Sequence, residues 1–433
     1  MAMDIDTTLA RHDRGRMPTH EYVILKDLLA SMIDSDDEDG LDSTSSDDGS
    51  SSDDSIFDSS DSSDEDLLID ALLAHEAATK QRRVEYPRAH RIREPWVTFN
   101  PAEFERLTEF APRYVLDMCT QMERMPRVVV TPSRCKASLE LAMTIVLLRF
   151  TGEDTTRPWS QIASILRSCE TYLIAIFQQT GFLLALHYEI LATCLDVLYL
   201  QPRLRQFAEV VRDTGALVWP TVLTLDGKTW RSCWPHRSFN DYDNDIDYQM
   251  AVYDGHHACH GLCSHDVLFP NGISVTGIGS ASANDQQHLM DMNIIDALEC
   301  LYVDGNPDLP ALGFGDQAYY GYPSDRIIAQ PRGILSKRRH DFYKTMRTMR
   351  ATAEQNFGIQ SRLFPYLNHR RQMQLMRACT LTMKDLLIMR TLIVNCHVCC
   401  YGSQVTGTFK LAPPTLEEYF ANANMDRIPN LNW

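Results

Sequence analysis

The amino-acid sequence predicts an α/β protein in which a helical region is followed by a sheet and by further long helices. After Pro220, short β-branched and apolar runs end at turn residues, a pattern typical of strands. Upstream, from about Glu103, apolar residues recur at helical spacing, and this spacing returns after Phe342. Strands that lie between helical segments favour one layer of sheet covered by helices.

The net charge of the chain is concentrated near its N-terminus. The 433 residues are 44% hydrophobic and carry a formal net charge of −17. Fifteen Asp and Glu residues and no Lys or Arg lie between Asp34 and Asp66, so the remainder carries only −2. This Ser/Asp-rich run has almost nothing to bury, and we expect it to be disordered. The acidic average therefore does not exclude a nucleic-acid partner.

These changes in composition divide the chain into four predicted segments. Residues 1–95 form a disordered acidic leader, either an interaction tail or a solvating segment, which ends in a basic stretch from Lys80 to Arg93. Residues 96–215 form a helical domain, residues 216–400 an α/β domain, and residues 401–433 a C-terminal tail. We find no secretory h-region, and polar residues interrupt the apolar stretch from Tyr172 to Leu200. We therefore expect a soluble intracellular protein with no membrane partner.

Three helices with tight breaks are predicted in the helical domain: Ala137 to Phe150, Trp159 to Arg167, and one from Ser168 or Cys169 to about Thr180. Such a set is typical of a helix-turn-helix, whose last helix enters a DNA groove. The third helix contains no Lys or Arg. Plain helical packing is therefore the alternative interpretation.

The α/β domain is predicted to begin with short strands and to end with two long helices. Pro270-Asn271-Gly272 is a strong hairpin-turn signal between two of the strands. The other predicted strands are Thr221 to Leu225, Tyr248 to Tyr253 and Leu309 to Phe314, and the helices are Phe342 to Arg362 and Gln374 to Val398.

Three carboxylates stand out in this domain. Asp226 and Asp316 each follow a short apolar strand and precede turn residues, which places them at the rim where sites on open sheets form. Glu354 borders the apolar face of a predicted helix, and it would point toward the sheet or simply pair with Arg350, one turn earlier.

Carboxylates grouped in this way indicate a divalent metal cation, because hard oxygen ligands suit Mg²⁺ or Mn²⁺. Two such ions can activate a water molecule and stabilise the leaving oxygen of a phosphodiester. From Pro331 to Arg377 the chain has eleven basic and two acidic residues, a local net charge of +9. This flank would hold a polyanion such as DNA against an acidic site.

Several sequence blocks around these acids resemble those of the Harbinger-type DDE transposases and of the related Harbinger transposase-derived nuclease. They are LTLDGKTW (Asp226), VYDGHHACHGLCSHDVLFPNGI, GSASAND (Asp285), FGDQAYYGYP (Asp316) and MRATAEQNFG (Glu354). The blocks occur in the family's order from about Thr221 to Phe364. The chain departs from the family at His257, Ala258 and Cys259, where basic residues are usual, and at Asn284, where a His is common.

The resemblance implies an RNase H-like fold, a central mixed sheet with flanking helices, that cleaves and joins DNA as an endonuclease or transposase. Asp226, Asp316 and Glu354 would be the catalytic DDE triad, and Asp285 a further metal position. Family resemblance also suggests nuclear localisation with shuttling to the cytoplasm, a Myb-like DNA-binding partner protein and a homo-oligomer. The residues expected to contact DNA are Lys337, Arg338, Arg339, Arg347 and Arg350.

Two alternatives compete with a nuclease. The first is a domesticated, catalytically silent protein that binds DNA or chromatin. The second is a zinc-stabilised interaction module, indicated by the Cys and His residues from His256 to His265 and from Cys396 to Cys400. Cys259 and Cys263 lie in a predicted strand, roughly 13 Å apart, so this sequence pattern favours buried thiols over zinc ligands.

Overall fold

A computed structural model gives the structure of this protein. It describes residues 99–151, 157–215, 218–233, 250, 252–292, 294–322, 324–329, 337–368 and 381–421. They belong to one compact unit, Glu85–Trp433. The acidic run and the basic stretch of the leader lie outside the described residues, so their properties stay predictions, as do the four domain boundaries.

Helices dominate the part of the chain before Pro220. Ser138 caps the third of them, since its side chain accepts a hydrogen bond from the Leu141 amide at 3.3 Å. The elements are α1 (Pro101–Thr108), α2 (Pro112–Gln121), β1 (Val128–Val130), β2 (Lys136–Ser138), α3 (Leu139–Phe150), α4 (Trp159–Leu166), α5 (Glu170–Thr193), α6 (Val197–Leu200) and α7 (Leu204–Asp213).

The third predicted helix of this region is longer than expected. The sequence predicts an end near Thr180, whereas α5 continues to Thr193. Gly181 lies within this helix and does not end it. A Cβ added at this position would lie 2.5 Å from the Leu381 side chain and 2.9 Å from the Met389 sulfur, so Leu381 and Met389 pack directly against the glycine backbone. Its missing Cβ allows this close approach, and packing therefore overrides the low helix propensity of glycine.

Helix α5 is long and apolar enough to cross a membrane, judged by length and composition alone. In the structure it packs against α3, against strand β6 (Ser274–Ser280) and against the later helix α11 (Met383–Tyr401). Leu173, Ile176 and Leu184 of α5 are completely buried. The apolar face of this helix is thus part of the protein core.

A curled mixed sheet forms the centre of the molecule. Strand β3 (Thr221–Arg231) pairs antiparallel with β5 (Cys259–Leu268), and β5 pairs antiparallel with β6. The short strand β4 (Tyr253–Asp254) also pairs with β5. On its other side β3 pairs in parallel with β7 (Leu312–Gly315), which pairs in parallel with β8 (Ile327–Ala329). The predicted α/β class is confirmed as a mixed sheet with flanking helices.

The prediction that Asp226 closes a strand is wrong. Strand β3 continues to Arg231, because β5 offers it an antiparallel partner as far as Gly261. The parallel partner β7, in contrast, ends at Gly315. Asp226 therefore lies within a strand, at the point where one of its two neighbours stops.

The hairpin around Pro270 is confirmed. The Phe269 carbonyl accepts a hydrogen bond from the Gly272 amide at 2.9 Å, and the Phe269 amide donates to the Ile273 carbonyl at 3.0 Å. Gly272 has a φ of +81°, a conformation that a residue with a side chain rarely adopts. For the predicted strand from Tyr248 to Tyr253, only its end coincides with an observed strand, Tyr253–Asp254, and residues 248, 249 and 251 lie outside the described part.

The long C-terminal helices are present, with shifted bounds. Helix α10 (Lys337–Leu363) begins five residues earlier than predicted. Helix α11 begins at Met383, where Thr382 and Asp385 form an N-terminal capping box. The remaining helices are α8 (Asp285–Asp291), α9 (Ile294–Glu299), α12 (Gln404–Phe409) and α13 (Leu416–Ala421). One buried apolar cluster joins α3, α5 and α11, and a second joins α7, β3 and α10.

Candidate functional site

Asp226 and Asp316 lie side by side at one edge of the parallel strand pair. In the register of β3 and β7, Thr224 is opposite Phe314. Each aspartate follows its strand residue by two positions, so both side chains project from the same face. Neighbouring strands are about 4.8 Å apart. Asp316 also caps a short turn, because its side chain accepts a hydrogen bond from the Ala318 amide at 2.7 Å.

Helix α10 brings Glu354 to the same edge. The predicted apolar face is confirmed, since Met346, Met349, Ala353 and Phe357 are all buried. Glu354 borders this face, and its side chain is 54% exposed. Its Oε1 atom forms an ion pair with Nη2 of Arg350 at 2.7 Å. This is the pairing with Arg350, one helical turn earlier, that the sequence analysis gives as the alternative for Glu354.

A buried polar network fixes the position of α10 on the sheet. Asp266 of β5, which is directly opposite Asp226 in the register, is almost fully buried. Its carboxylate accepts hydrogen bonds from Asn356 and Gln360 of α10 and contacts the Arg390 guanidinium of α11 at 3.1 Å. Because Asn356 is two residues from Glu354, the Asp266 network also sets where Glu354 lies relative to Asp226.

The charges at this edge influence one another. Burial, and to a smaller extent the negative charges of Asp316 and Glu354, raise the pKa of Asp226 from 3.8 to about 7. The Arg350 guanidinium and a hydrogen bond from the Gly227 amide act in the opposite direction. The three acids and the arginine are therefore close enough to share one electrostatic environment.

Lys228 projects from the same face of β3 as Asp226, two residues further along the strand. Its ammonium group lies 4.1 Å from the centre of the Trp230 ring and contacts the Ser361 hydroxyl of α10. Burial, followed by the charge of Arg390, lowers the pKa of Lys228 to about 8. The segment LTLDGKTW thus places an acid and a lysine on the face of β3 that packs against α10.

Asp285, the fourth expected acid, contacts His265 on the face of β3 opposite to Asp226. It is the first residue of α8, and Asn284 caps that helix by accepting a hydrogen bond from the Gln287 amide at 2.9 Å. The Oδ1 atom of Asp285 lies 3.3 Å from Nε2 of His265. Burial raises the pKa of Asp285, and the charge of Asp316 raises it further. Asp285 is therefore near Asp316 but is held by a histidine.

A buried cluster of sulfur and nitrogen atoms surrounds this histidine. One potential ligand atom from each of Cys263, His265 and His288 lies within 4.8 Å of the other two. The Cys263 sulfur is 3.2 Å from Nε2 of His265, and Nδ1 of His265 is 2.8 Å from the buried Tyr319 hydroxyl. The two imidazole rings stack with their centroids 4.5 Å apart.

The expected zinc pattern is not assembled as a unit. Cys259 and Cys263 both lie in strand β5, four residues apart, as the sequence predicts. The Nδ1 atom of His257 instead contacts Asp254 at 2.6 Å. Cys396 is completely buried in α11, and the described residues contain no disulfide. The interpretation of buried thiols therefore fits Cys259 and Cys396, whereas Cys263 lies in a different cluster.

The residues expected to contact DNA all lie in the N-terminal half of α10. Lys337 is exposed and Arg350 is half-buried beside Glu354. The side chains of Arg338, Arg339 and Arg347 lie outside the described part of the structure. Their role stays a prediction that rests on the basic sequence.

The sequence analysis did not identify the buried polar residues that lie around the acids. Asp266, Arg390, His288 and Tyr319 are distant from one another in the chain, and no short motif connects them. The available signal was the run Ser264-His265-Asp266, three polar residues inside an otherwise apolar strand. Polar groups in a buried strand require partners, and this would have justified a search for them.

No family model matches this chain, and no curated protein or solved structure matches it.

Proposed function

We propose that this protein is a metal-dependent DNA endonuclease or transposase of the DDE class. The observation that carries the proposal is the convergence of Asp226, Asp316 and Glu354 at one edge of the sheet. They come from β3, from the end of β7 and from α10, and their charges act together on Asp226. Neighbouring carboxylates repel one another when they are ionised, and a bound cation would relieve that repulsion.

The donor set fits Mg²⁺ or Mn²⁺, since it consists of carboxylate oxygens with partial exposure to solvent. Asp226, Asp316 and Glu354 would hold the ions, and Asp285 would assist. When bound, such ions supply an activated water and stabilise the leaving oxygen of the phosphodiester. Arg350 favours the ionised form of Asp226, which is the form that binds a cation. The basic residues of α10 from Lys337 to Arg350 would hold the DNA backbone.

The topology supports an RNase H-like domain for this chemistry. Such a domain needs a central mixed sheet with the first aspartate on its first strand and the glutamate on a later helix. Strand β3 has neighbours on both sides and carries Asp226, while α10 follows the last strand and carries Glu354. For the helical region, the packing of α5 into the core favours a structural role over a DNA-reading helix-turn-helix.

A catalytically silent binding protein is the second candidate, and one observation favours it. Glu354 is already paired with Arg350 at 2.7 Å, so cation binding has to compete with that ion pair. Under either function we propose a nuclear protein that acts on DNA with a Myb-like partner and as a homo-oligomer.

The test is nicking of supercoiled DNA by the full chain with Mg²⁺ or Mn²⁺. We expect the isosteric variants Asp226→Asn and Glu354→Gln to lose nicking while remaining folded. The control is Asp213→Asn, since the Asp213 side chain is 70% exposed and pairs only with its neighbour Arg212 in the described structure. Equal nicking by wild type and both variants would refute the assignment. Cation binding measured by calorimetry without cleavage of any DNA would favour the silent protein.

A further inference from the structure

A second metal-ligating arrangement lies on the opposite face of strand β3 from Asp226. Side chains alternate between the faces of a strand, so Asp226 projects toward α10 and position 227 projects the other way. Beneath Gly227 lie His265 and Asp285, 2.7 and 3.2 Å from the place where a Cβ would be. We propose that Cys263, His265, His288 and Asp285 form a zinc site on this face. It does not depend on the proposed nuclease activity, and a zinc-bound Asp285 would leave Asp226, Asp316 and Glu354 to hold the other ions.

The four residues come from two elements, and each element supplies a pair. Cys263 and His265 are two residues apart in β5, which places both on one face of the sheet. Asp285 and His288 are three residues apart in α8, which places both on one face of that helix. Helix α8 packs against β5 and β6, so the two pairs meet.

Two of the separations match those of a tetrahedral zinc centre. Zinc bonds of about 2.0–2.3 Å place neighbouring ligand atoms roughly 3.3–3.6 Å apart. The Cys263 sulfur and the Asp285 oxygen lie 3.2 and 3.3 Å from Nε2 of His265. The ligand atom of His288 lies within 4.8 Å of those of Cys263 and His265, and Asp285 lies outside that three-residue group. Zinc binding would therefore draw the side chains of His288 and Asp285 closer to the other two ligands.

The cluster also has the supporting hydrogen bond that a zinc-bound histidine needs. Nδ1 of His265 lies 2.8 Å from the hydroxyl of Tyr319, which is buried. When Nδ1 carries the proton and donates to this hydroxyl, the lone pair of Nε2 points toward Cys263 and Asp285. The tyrosine therefore holds the ring in an orientation, and accommodates a tautomer, that bind a metal.

Glycines create the space for this cluster. In the register of the sheet, Gly279 is opposite Cys263, and Gly227 is opposite His265. A Cβ at position 279 would lie 2.2 Å from Nδ1 of His288. Since neither position carries a side chain, the face between β3 and β6 is open to the imidazole rings.

Charge and ligand softness select zinc over the magnesium of the other face. Binding displaces the Cys263 thiol proton to solvent, so one thiolate and one carboxylate neutralise the two charges of the ion. A neutral site is what a buried location requires, because an uncompensated charge there is costly. Thiolate and imidazole ligands suit Zn²⁺, whereas Mg²⁺ prefers oxygen.

Metal analysis of the purified full chain tests the proposal. We expect about one zinc per chain, lost in Cys263→Ala and in His288→Ala. The matched control Cys259→Ala removes another buried cysteine of the same strand and should retain zinc. Asp226→Asn should also retain it, so loss of nicking and loss of zinc are separable results.

A spectroscopic measurement covers the case in which a variant fails to fold. Co²⁺ added to chelator-treated wild-type protein should give a thiolate-to-cobalt charge-transfer band and the intense visible bands of tetrahedral cobalt. Zinc should then displace the cobalt and remove both signals. Wild-type protein that contains no zinc and gives no such band with Co²⁺ would overturn the proposal, whatever its nuclease activity.

Discussion

Replacing Asp226 by asparagine should stabilise the metal-free protein while it abolishes metal-dependent cleavage. The carboxyl group lies in a largely buried place where burial and two neighbouring acids raise its pKa to about 7. In the unfolded chain its pKa returns to the ordinary value of 3.8. Because the folded pKa is the higher one, the contribution of Asp226 to stability is complete below about pH 4 and is lost as the pH rises through 7.

The size of the effect follows from the difference between the two pKa values. Each pKa unit corresponds to about 1.4 kcal/mol, so the ionised carboxylate lowers the free energy of unfolding by up to about 4 kcal/mol at pH 8. At pH 5 most of the folded protein is still protonated, and the loss is roughly 1.5 kcal/mol. Asparagine keeps the acceptor for the Gly227 amide, at 3.0 Å in the wild type, and carries no charge.

Urea unfolding in the presence of EDTA at pH 5 and pH 8 measures this prediction. The stability difference between Asp226→Asn and wild type should grow by about 2–3 kcal/mol between the two pH values. Taking a difference between proteins removes the titration of the groups that do not interact with Asp226. The exposed-site variant Asp213→Asn should show no such growth. If the stability difference between Asp226→Asn and wild type is the same at pH 5 and pH 8, folding does not raise the pKa of Asp226 and the prediction is refuted.

Two further predictions concern the structure that supports the site. Arg390→Met should lower the free energy of unfolding by about 3–5 kcal/mol in urea unfolding, because it leaves the buried Asp266 carboxylate without its cation. The double variant, which also carries Asp266→Asn, should recover part of this loss. Thr382→Ala should lower the unfolding free energy by about 1 kcal/mol, because it removes the capping box of α11, whereas Thr382→Ser should retain it in thermal unfolding.

The sequence predicts the acids at the site, but less well the element that carries each of them. Asp316 does follow a strand, and Glu354 does border a buried helical face. Asp226 was expected at a strand end because Asp-Gly is a turn signal. In the structure the antiparallel pairing with β5 outweighs that local preference, since a strand is defined by its partner as well as by its own residues.

Long-range partners explain most of what the sequence does not reveal. Gly181 looks like a helix end until Leu381 and Met389, two hundred residues later, are known to pack against it. Likewise His288 belongs with Cys263 and His265 only after the sheet and α8 are assembled. Helical and strand periodicity are local, so they predict elements, whereas clusters formed between elements depend on the fold.

Alternation along β3 would keep the two proposed kinds of metal apart. Asp226 faces oxygen donors and basic residues on the side of α10, and Gly227, the next residue, lies over sulfur and nitrogen donors on the side of α8. Hard ions prefer the first set of ligands and zinc the second. Asp285 is close to both, since it contacts His265 while the charge of Asp316 raises its pKa. A zinc ion that held Asp285 as an ionised ligand would therefore keep one negative charge fixed beside Asp316. Through that charge the proposed zinc site would influence the proton affinity, and hence the cation affinity, of Asp226, Asp316 and Glu354.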